Sequence, residues 1–391
     1  MRSDSGQQFH RSYAAVRSAF RDAVRVSRGK VQTYPLPGAG PGGEPLATDV
    51  TRFGGLGASR VLFLVTGVHG VEGYCGAGAL IAWLHGDGAN RLPGDVAVVV
   101  VNLINPYGAA WLRRVNENNV DINRNFVDHG KGYRANPEYE ALHDALLLGV
   151  LEPERIEAAD QRVADFRGEQ GDAAYMRAFG GQHSHPRGVL FGGREPEWSQ
   201  RLIQKLWQEH AGAASHAALI DFHSGMGPYG YGMPIAPYRP DDAAFERARD
   251  WYGDAVISMY ALDKADADTD GDALTGGAMI DAFAAELPGT VTTAIALEFG
   301  TYPFDDCIPA MRADAWLHEF GQPDSPLGRQ IARDWLEKFF PNDEDWQYMV
   351  RWRSRQVIAQ ALQGLAKDDS PTRRAPTRAP GNAATAGAGG R

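Results

Sequence analysis

The chain has little cysteine, and what it has is not paired. Among 391 residues only Cys75 and Cys307 occur, far apart and outside any C-x-x-C spacing. This excludes a zinc site built on thiolates and argues against a disulfide framework. Long apolar runs are missing too. Nothing approaches the roughly 18 apolar residues of a membrane span, and the opening MRSDSGQQFHRSYAAVRSAF has no apolar signal core. These absences lead to the expectation of a reduced, cytoplasmic protein. Positive charge is also short: Lys and Arg number 39 against 49 Asp and Glu, a formal net charge of −10. An acidic body offers little hold to a nucleic acid or an anionic membrane, so neither is expected as a partner.

What is present is ordinary globular composition, 43% hydrophobic and 23% charged, on a chain long enough to bury a large core. The clearest element is VLFLVTGVHGVE, from Val61 to Glu72: a short apolar, β-branched run that stops at glycine and presents His69 and Glu72. Such a run reads as a strand buried on both faces, and the loop beyond its carboxyl end is where open α/β sheets place ligands. Similar runs follow at Val96–Asn102, at Ala217–Phe222 before His223, and at Val291–Phe299, which carries Glu298.

Helical spacing covers residues 12–27, Tyr74–Leu84, and three closing stretches, Pro309–Phe320, Pro326–Phe340 and Asp343–Leu365. Tyr34–Ala47, rich in Pro and Gly, reads as a loop or an edge hairpin. From Pro137 to about His210 the pattern is helices with polar loops, an insertion over roughly residues 130–215. Residues 367–391 have the composition of a disordered tail. The expected fold is one α/β domain over residues 1–366: a mixed, mostly parallel sheet flanked by helices on both faces, with a helical insertion.

Two His and one Glu form a catalytic zinc ligand set that leaves a position for water. His69, Glu72 and His223 supply that set here, with one zinc ion expected per chain. A carboxylate beside that water takes and returns a proton, and Glu298 is the candidate. A fixed cation is needed where negative charge develops, and Arg113 and Arg114 both stand as candidates.

These residues carry a resemblance. HGVE (His69–Glu72), NPYG (Asn105–Gly108), VDINRNF (Val120–Phe126), DFHS (Asp221–Ser224) and LEFGT (Leu297–Thr301) resemble, in order, the motifs of the zinc carboxypeptidase superfamily. That superfamily includes aspartoacylase and succinylglutamate desuccinylase, and the chain is most similar to an uncharacterised bacterial branch of it. The gap before DFHS is longer here. The resemblance implies that His69, Glu72 and His223 bind zinc and that Glu298 is general base and acid. It implies that Asp121 holds the far nitrogen of His69, and that Asn123 and Arg124 grip a substrate carboxylate, with Arg113 also near the substrate. Arg114 is preferred over Arg113 for the oxyanion. The implied activity is hydrolysis of an amide bond next to a free carboxylate, by a carboxypeptidase-like peptidase acting on a small peptide. The alternative is deacylation of an N-acyl amino acid. One departure matters: the peptidases bring a tyrosine from a loop ahead of the catalytic Glu, and Asp263–Thr290 contains none.

Other readings of the same residues are weaker. GVHGVEG lacks the G-x-G-x-x-G spacing of a dinucleotide loop. Asp266–Asp272 opens like a calcium loop, but Gly277 stands where its bidentate Glu belongs. His183 and His185 invite a second metal site, although their loop context favours solvated histidines. No G-x-S-x-G elbow surrounds Ser224. A different class is a non-catalytic module sensing a carboxylate ligand, but a binder has no use for a general base at Glu298.

Overall fold

A computed structural model describes residues 8–262 and 276–367. Eight strands form one sheet: β1 (Val31–Ala39), β2 (Pro45–Phe53), β3 (Arg60–Thr66), β4 (Val96–Asn102), β5 (His216–Tyr229), β6 (Gly232–Ala236), β7 (Ile257–Ser258) and β8 (Val291–Gly300), in the order β1-β2-β4-β3-β5-β8-β6-β7. The central four, β4-β3-β5-β8, are mutually parallel, while β2 runs antiparallel to β4 and β6 antiparallel to β8. Their Val, Ile and Leu runs fit this position, because β3 and β4 are covered on both faces and buried nearly end to end.

One face packs against helices Tyr13–Val26, Gly73–His85 and Glu344–Lys367, the other against Trp198–Ala211 and Met279–Glu286. The helix after Glu72 lies very close to the sheet. A Cβ at Gly76 would come within 2.6 Å of Phe222 Cβ and 2.9 Å of Thr66 Cβ, so only glycine allows this approach. The start of that helix, and with it Glu72, is thereby fixed against β3 and β5.

The architecture agrees with the expected one, with differences that have local reasons. The Pro- and Gly-rich stretch is the edge hairpin option: β1 tolerates Pro35 and Pro37 because it borders only β2. The stretch read as one insertion divides in two. Pro137–Leu146 and Pro153–Ala178 pack on each other and on helix Ile308–Glu319, outside the sheet layers. Trp198–Ala211, in contrast, buries Leu202, Ile203, Leu206 and Trp207 against the sheet and belongs to the core. The expected tail beyond Lys367 and the acidic run Asp266–Asp272 lie outside the described residues. Among the described residues no helix is long and apolar enough to cross a membrane.

Candidate metal centre

Parallel strands put their carboxyl ends on one edge. In register, Val65 of β3 pairs with Asp221 of β5, and His223 of β5 with Glu298 of β8. The chain therefore releases the His69–Glu72 loop, His223 and Glu298 side by side. Gly67 ends β3 in the left-handed region, at φ 80°. The loop then docks backbone to backbone on the segment after β4: Gly70 N donates to Arg114 O (3.1 Å) and Val71 N to Arg113 O (2.8 Å). A Cβ at Gly70 would fall 2.1 Å from the backbone of Gly108, so this docking requires glycine. The same contact ties the position of Arg114 to that of the HGVE loop.

The two imidazoles are set the same way round. His69 Nε2 donates to Asp121 Oδ1 (3.1 Å) and His223 Nε2 to Asp221 Oδ2 (2.6 Å), so both Nδ1 atoms face Glu72. His69 Nδ1 is 2.9 Å from Glu72 Oε1, and His223 Nδ1 is 3.1 Å from Glu72 Oε2. Among the described residues these three form the single group of His, Cys, Asp or Glu whose ligating atoms converge, all within 4.8 Å of one another and all buried. The donors fit a zinc ion, and one observation tests that fit. His69 Nδ1 is buried without a hydrogen-bond partner although a carboxylate oxygen stands 2.9 Å away. With the Nε2 proton committed to Asp121, lone pair faces lone pair, and a cation between them satisfies both.

Electrostatics keep the carboxylates of the centre ionised and favour a proton on His223. Burial disfavours ionised Glu72, but His69, His223 and Arg114 outweigh it and keep the carboxylate ionised. Burial likewise opposes the charge on Asp121, and Arg114, His69 and Arg124 overcome it, holding it well below the ordinary range. His223 is raised well above an ordinary histidine; burial opposes this, while Asp221, Glu72 and Glu298 favour the proton. Glu298 behaves differently. Burial, assisted by the nearby Glu72, pushes it up to about 7 against the pull of His223, the Met226 amide and His69. Met226 N donates to its Oε1 at 3.0 Å.

Arg114 braces the ligand set, donating through Nη1 to Glu72 Oε1 (2.9 Å) and through Nε to Asp121 Oδ2 (2.8 Å). Arg113 is not brought to the site. Its alternating direction buries it in a pair with Asp314 (3.4 Å) and Asn119 (3.1 Å), so the substrate-binding place expected for Arg113 is corrected. Arg124 donates to Gly180 O (2.5 Å) and Asn123 O (2.8 Å). Asn123 Oδ1 accepts from Met279 N (2.8 Å), which leaves its amide nitrogen as the donor. His69, Glu72, His223, Glu298, Arg114, Asn123 and Arg124 all line one cavity of about 310 Å³. His183 and His185 do not join it. The first bonds Gly193 O (2.7 Å) and stacks on Tyr133; the second bonds Glu140 (2.7 Å) and stacks on His143.

Two features escaped the sequence reading. Asp221, the partner of His223, has a signal: residues two apart on a strand share a face, as D-F-H requires. Which residues of the inserted segment reach the cavity, Met176, Phe179 and Leu190, has no such signal.

The family model described as "Protein of unknown function (DUF2817)" matches residues 9–353. The chain belongs to the DUF2817 family. No curated protein matches this DUF2817 chain by sequence. Its fold is similar to that of bovine thrombin-activatable fibrinolysis inhibitor in complex with tick carboxypeptidase inhibitor, with 11% identity, 93% of this chain and 99% of that one covered, and a TM-score of 0.50. Weaker likenesses join it to carboxypeptidase A from Helicoverpa armigera (14% identity, 88% and 78% covered, TM-score 0.44) and to murein-tripeptide amidase MpaA from Escherichia coli O157 (17%, 75% and 95%, 0.32). The fold is carboxypeptidase-like.

Proposed function

We infer that this DUF2817 protein is a zinc-dependent hydrolase that cleaves an amide bond next to a free carboxylate, as a carboxypeptidase-like peptidase does. The observation that carries the reading is the pair of Nδ1 atoms turned onto Glu72, with His69 Nδ1 lacking any hydrogen-bond partner. His69, Glu72 and His223 hold the metal. Zinc supplies a Lewis acid that polarises a carbonyl and lowers the pKa of water toward about 7.

The chain's own groups do the rest. Glu298, held near neutrality by burial, takes a proton from the attacking water and delivers it to the leaving nitrogen. Arg114 offers a fixed positive charge on the cavity wall where the carbonyl oxygen becomes negative. Arg124 and Asn123 donate to the substrate carboxylate and set the scissile bond. Asp121 and Asp221 keep the imidazoles in one tautomer and one orientation. A second reading, deacylation of N-acyl amino acids, is favoured by the inserted segment: its Phe179 meets Phe304 edge to face at 4.9 Å in the cavity lining, adding apolar surface for an acyl group.

Metal content by mass spectrometry on the native protein and on His223→Ala tests the reading. One zinc per chain, lost in the variant, together with release of free amino acid from peptides or N-acyl amino acids, supports it. No zinc uptake at micromolar concentration removes it.

A further inference from the structure

Charge is distributed unevenly around the cavity. Its charged lining groups are His69, Glu72, His223, Glu298, Arg114 and Arg124; the rest of the described wall carries no charge of either sign. Of the two arginines, Arg114 is already matched by Glu72 and Asp121. Arg124 donates to backbone carbonyls and pairs with no carboxylate among the described residues. Among the described residues one cation is left for the ligand, and so one carboxylate. A second carboxylate, or a basic side chain, would be desolvated with nothing to pair it.

The uncharged wall is apolar and adaptable. Four of the chain's eight methionines, Met176, Met226, Met259 and Met311, line this one cavity, beside Phe179 and Phe304. Unbranched thioethers reshape around varied apolar groups more readily than branched side chains do. The volume, about 310 Å³, lies at the small end of ligand pockets.

We propose that the ligand of this cavity is an N-acyl amino acid with a single carboxylate and an apolar acyl group, which the methionine wall and the Phe179–Phe304 pair accept. The proposal rests on the hydrolase reading for its orientation at Arg124. It separates this chain from hydrolases of dicarboxylic substrates such as N-succinyl amino acids.

The test is calorimetric titration of Glu298→Gln, supplemented with zinc, with N-hexanoyl-, N-acetyl- and N-succinyl-leucine, alongside hydrolysis assays on the native protein. Each buried methylene contributes about fourfold in affinity, so N-hexanoyl-leucine binds at least about tenfold tighter than N-acetyl-leucine. N-succinyl-leucine binds no tighter than N-acetyl-leucine. Met226→Lys, at a residue 41% exposed and so tolerant of charge, adds a second cation and raises affinity for the succinyl compound severalfold. Equal affinity for hexanoyl and acetyl, tightest binding of succinyl, or binding of none of the three overturns the proposal. The selectivity without any hydrolysis by the native protein sinks the hydrolase reading and leaves the ligand class standing. Hydrolysis without the selectivity does the reverse.

Discussion

Asp121→Asn tests how the centre is held together, because one fully buried carboxylate does three jobs. Its Oδ1 accepts from His69 Nε2 (3.1 Å) and from Asn123 N (3.0 Å), while Oδ2 accepts from Arg114 Nε (2.8 Å). Both oxygens face donors. An amide keeps one acceptor and turns its NH₂ toward either the imidazole N–H or the guanidinium, donor against donor. Loss of an outer carboxylate of this kind costs about ten- to hundredfold in metal affinity, or about 1.4–2.7 kcal/mol. Asp221→Asn is the internal control. Only its Oδ2 is engaged, by His223 Nε2 at 2.6 Å, while Oδ1 is buried without a partner. An amide there keeps the required acceptor and places its NH₂ where no donor opposes it, so the loss stays under about tenfold. The assay is zinc competition against a chromophoric chelator, with circular dichroism to confirm folding. Equal zinc affinity in native protein and Asp121→Asn, or a larger loss in Asp221→Asn, refutes the reasoning.

Arg124→Ala is expected to lower kcat/KM toward carboxylate-bearing substrates by about 1.5–3 kcal/mol, the worth of a charge-assisted hydrogen bond, with zinc content unchanged; unchanged kcat/KM refutes the assignment. Glu298→Gln is expected to lower kcat by about 10²–10⁴ while zinc still binds, and a milder effect denies it the role of proton carrier. His318 gives a pH prediction away from the centre. Burial, reinforced by Arg113, pushes its pKa down to about 3, and Asp314, at 3.7 Å and committed to Arg113, does not hold a proton on it. The unfolded chain then takes up a proton first. Its contribution is intact above about pH 6.5 and falls by up to about 1.4 kcal/mol per pH unit between there and pH 3. His318→Gln should flatten that part of the urea-midpoint profile, and an unaltered slope excludes the histidine as its source.

The centre was legible because its residues end buried parallel strands. Apolar runs fully covered on both faces stop at Gly67, at His223 and near Glu298, so the break in hydrophobicity marks the sheet edge where the polar residues of the candidate site stand. Elements with weak patterns stayed hidden. β6 and β7, with 5 and 2 residues, have no period to detect, and β7 pairs only with β6. The choice between Arg113 and Arg114 was not legible, since adjacent residues differ only in direction. Tertiary contacts with Asp314 on one side and Glu72 on the other send the two side chains to different places. The inserted segment could be placed as helical, but its contribution of Phe179 to the cavity depends on docking against Phe304, a contact far away in sequence.

The charges of the centre make a case for a divalent ion that is independent of the ligand motif. Four carboxylates touch the histidines or line the cavity: Glu72, Asp121, Asp221 and Glu298. Against them stand two guanidinium groups, Arg114 and Arg124, which leaves two negative charges when both imidazoles are neutral and all four acids ionised. A buried site does not carry that imbalance without a large desolvation cost. Two routes relieve it: protons on the imidazoles and on Glu298, or one dication. The first route leaves His69 Nδ1 without hydrogen-bond geometry to Glu72, whereas the second uses that atom directly. A centre so arranged exchanges protons for metal as it loads. Zinc affinity must therefore rise with pH, since ligands have to be free of protons before the ion is held. Competition titrations at pH 6 and pH 8 decide this, and an affinity independent of pH across that range removes the charge argument.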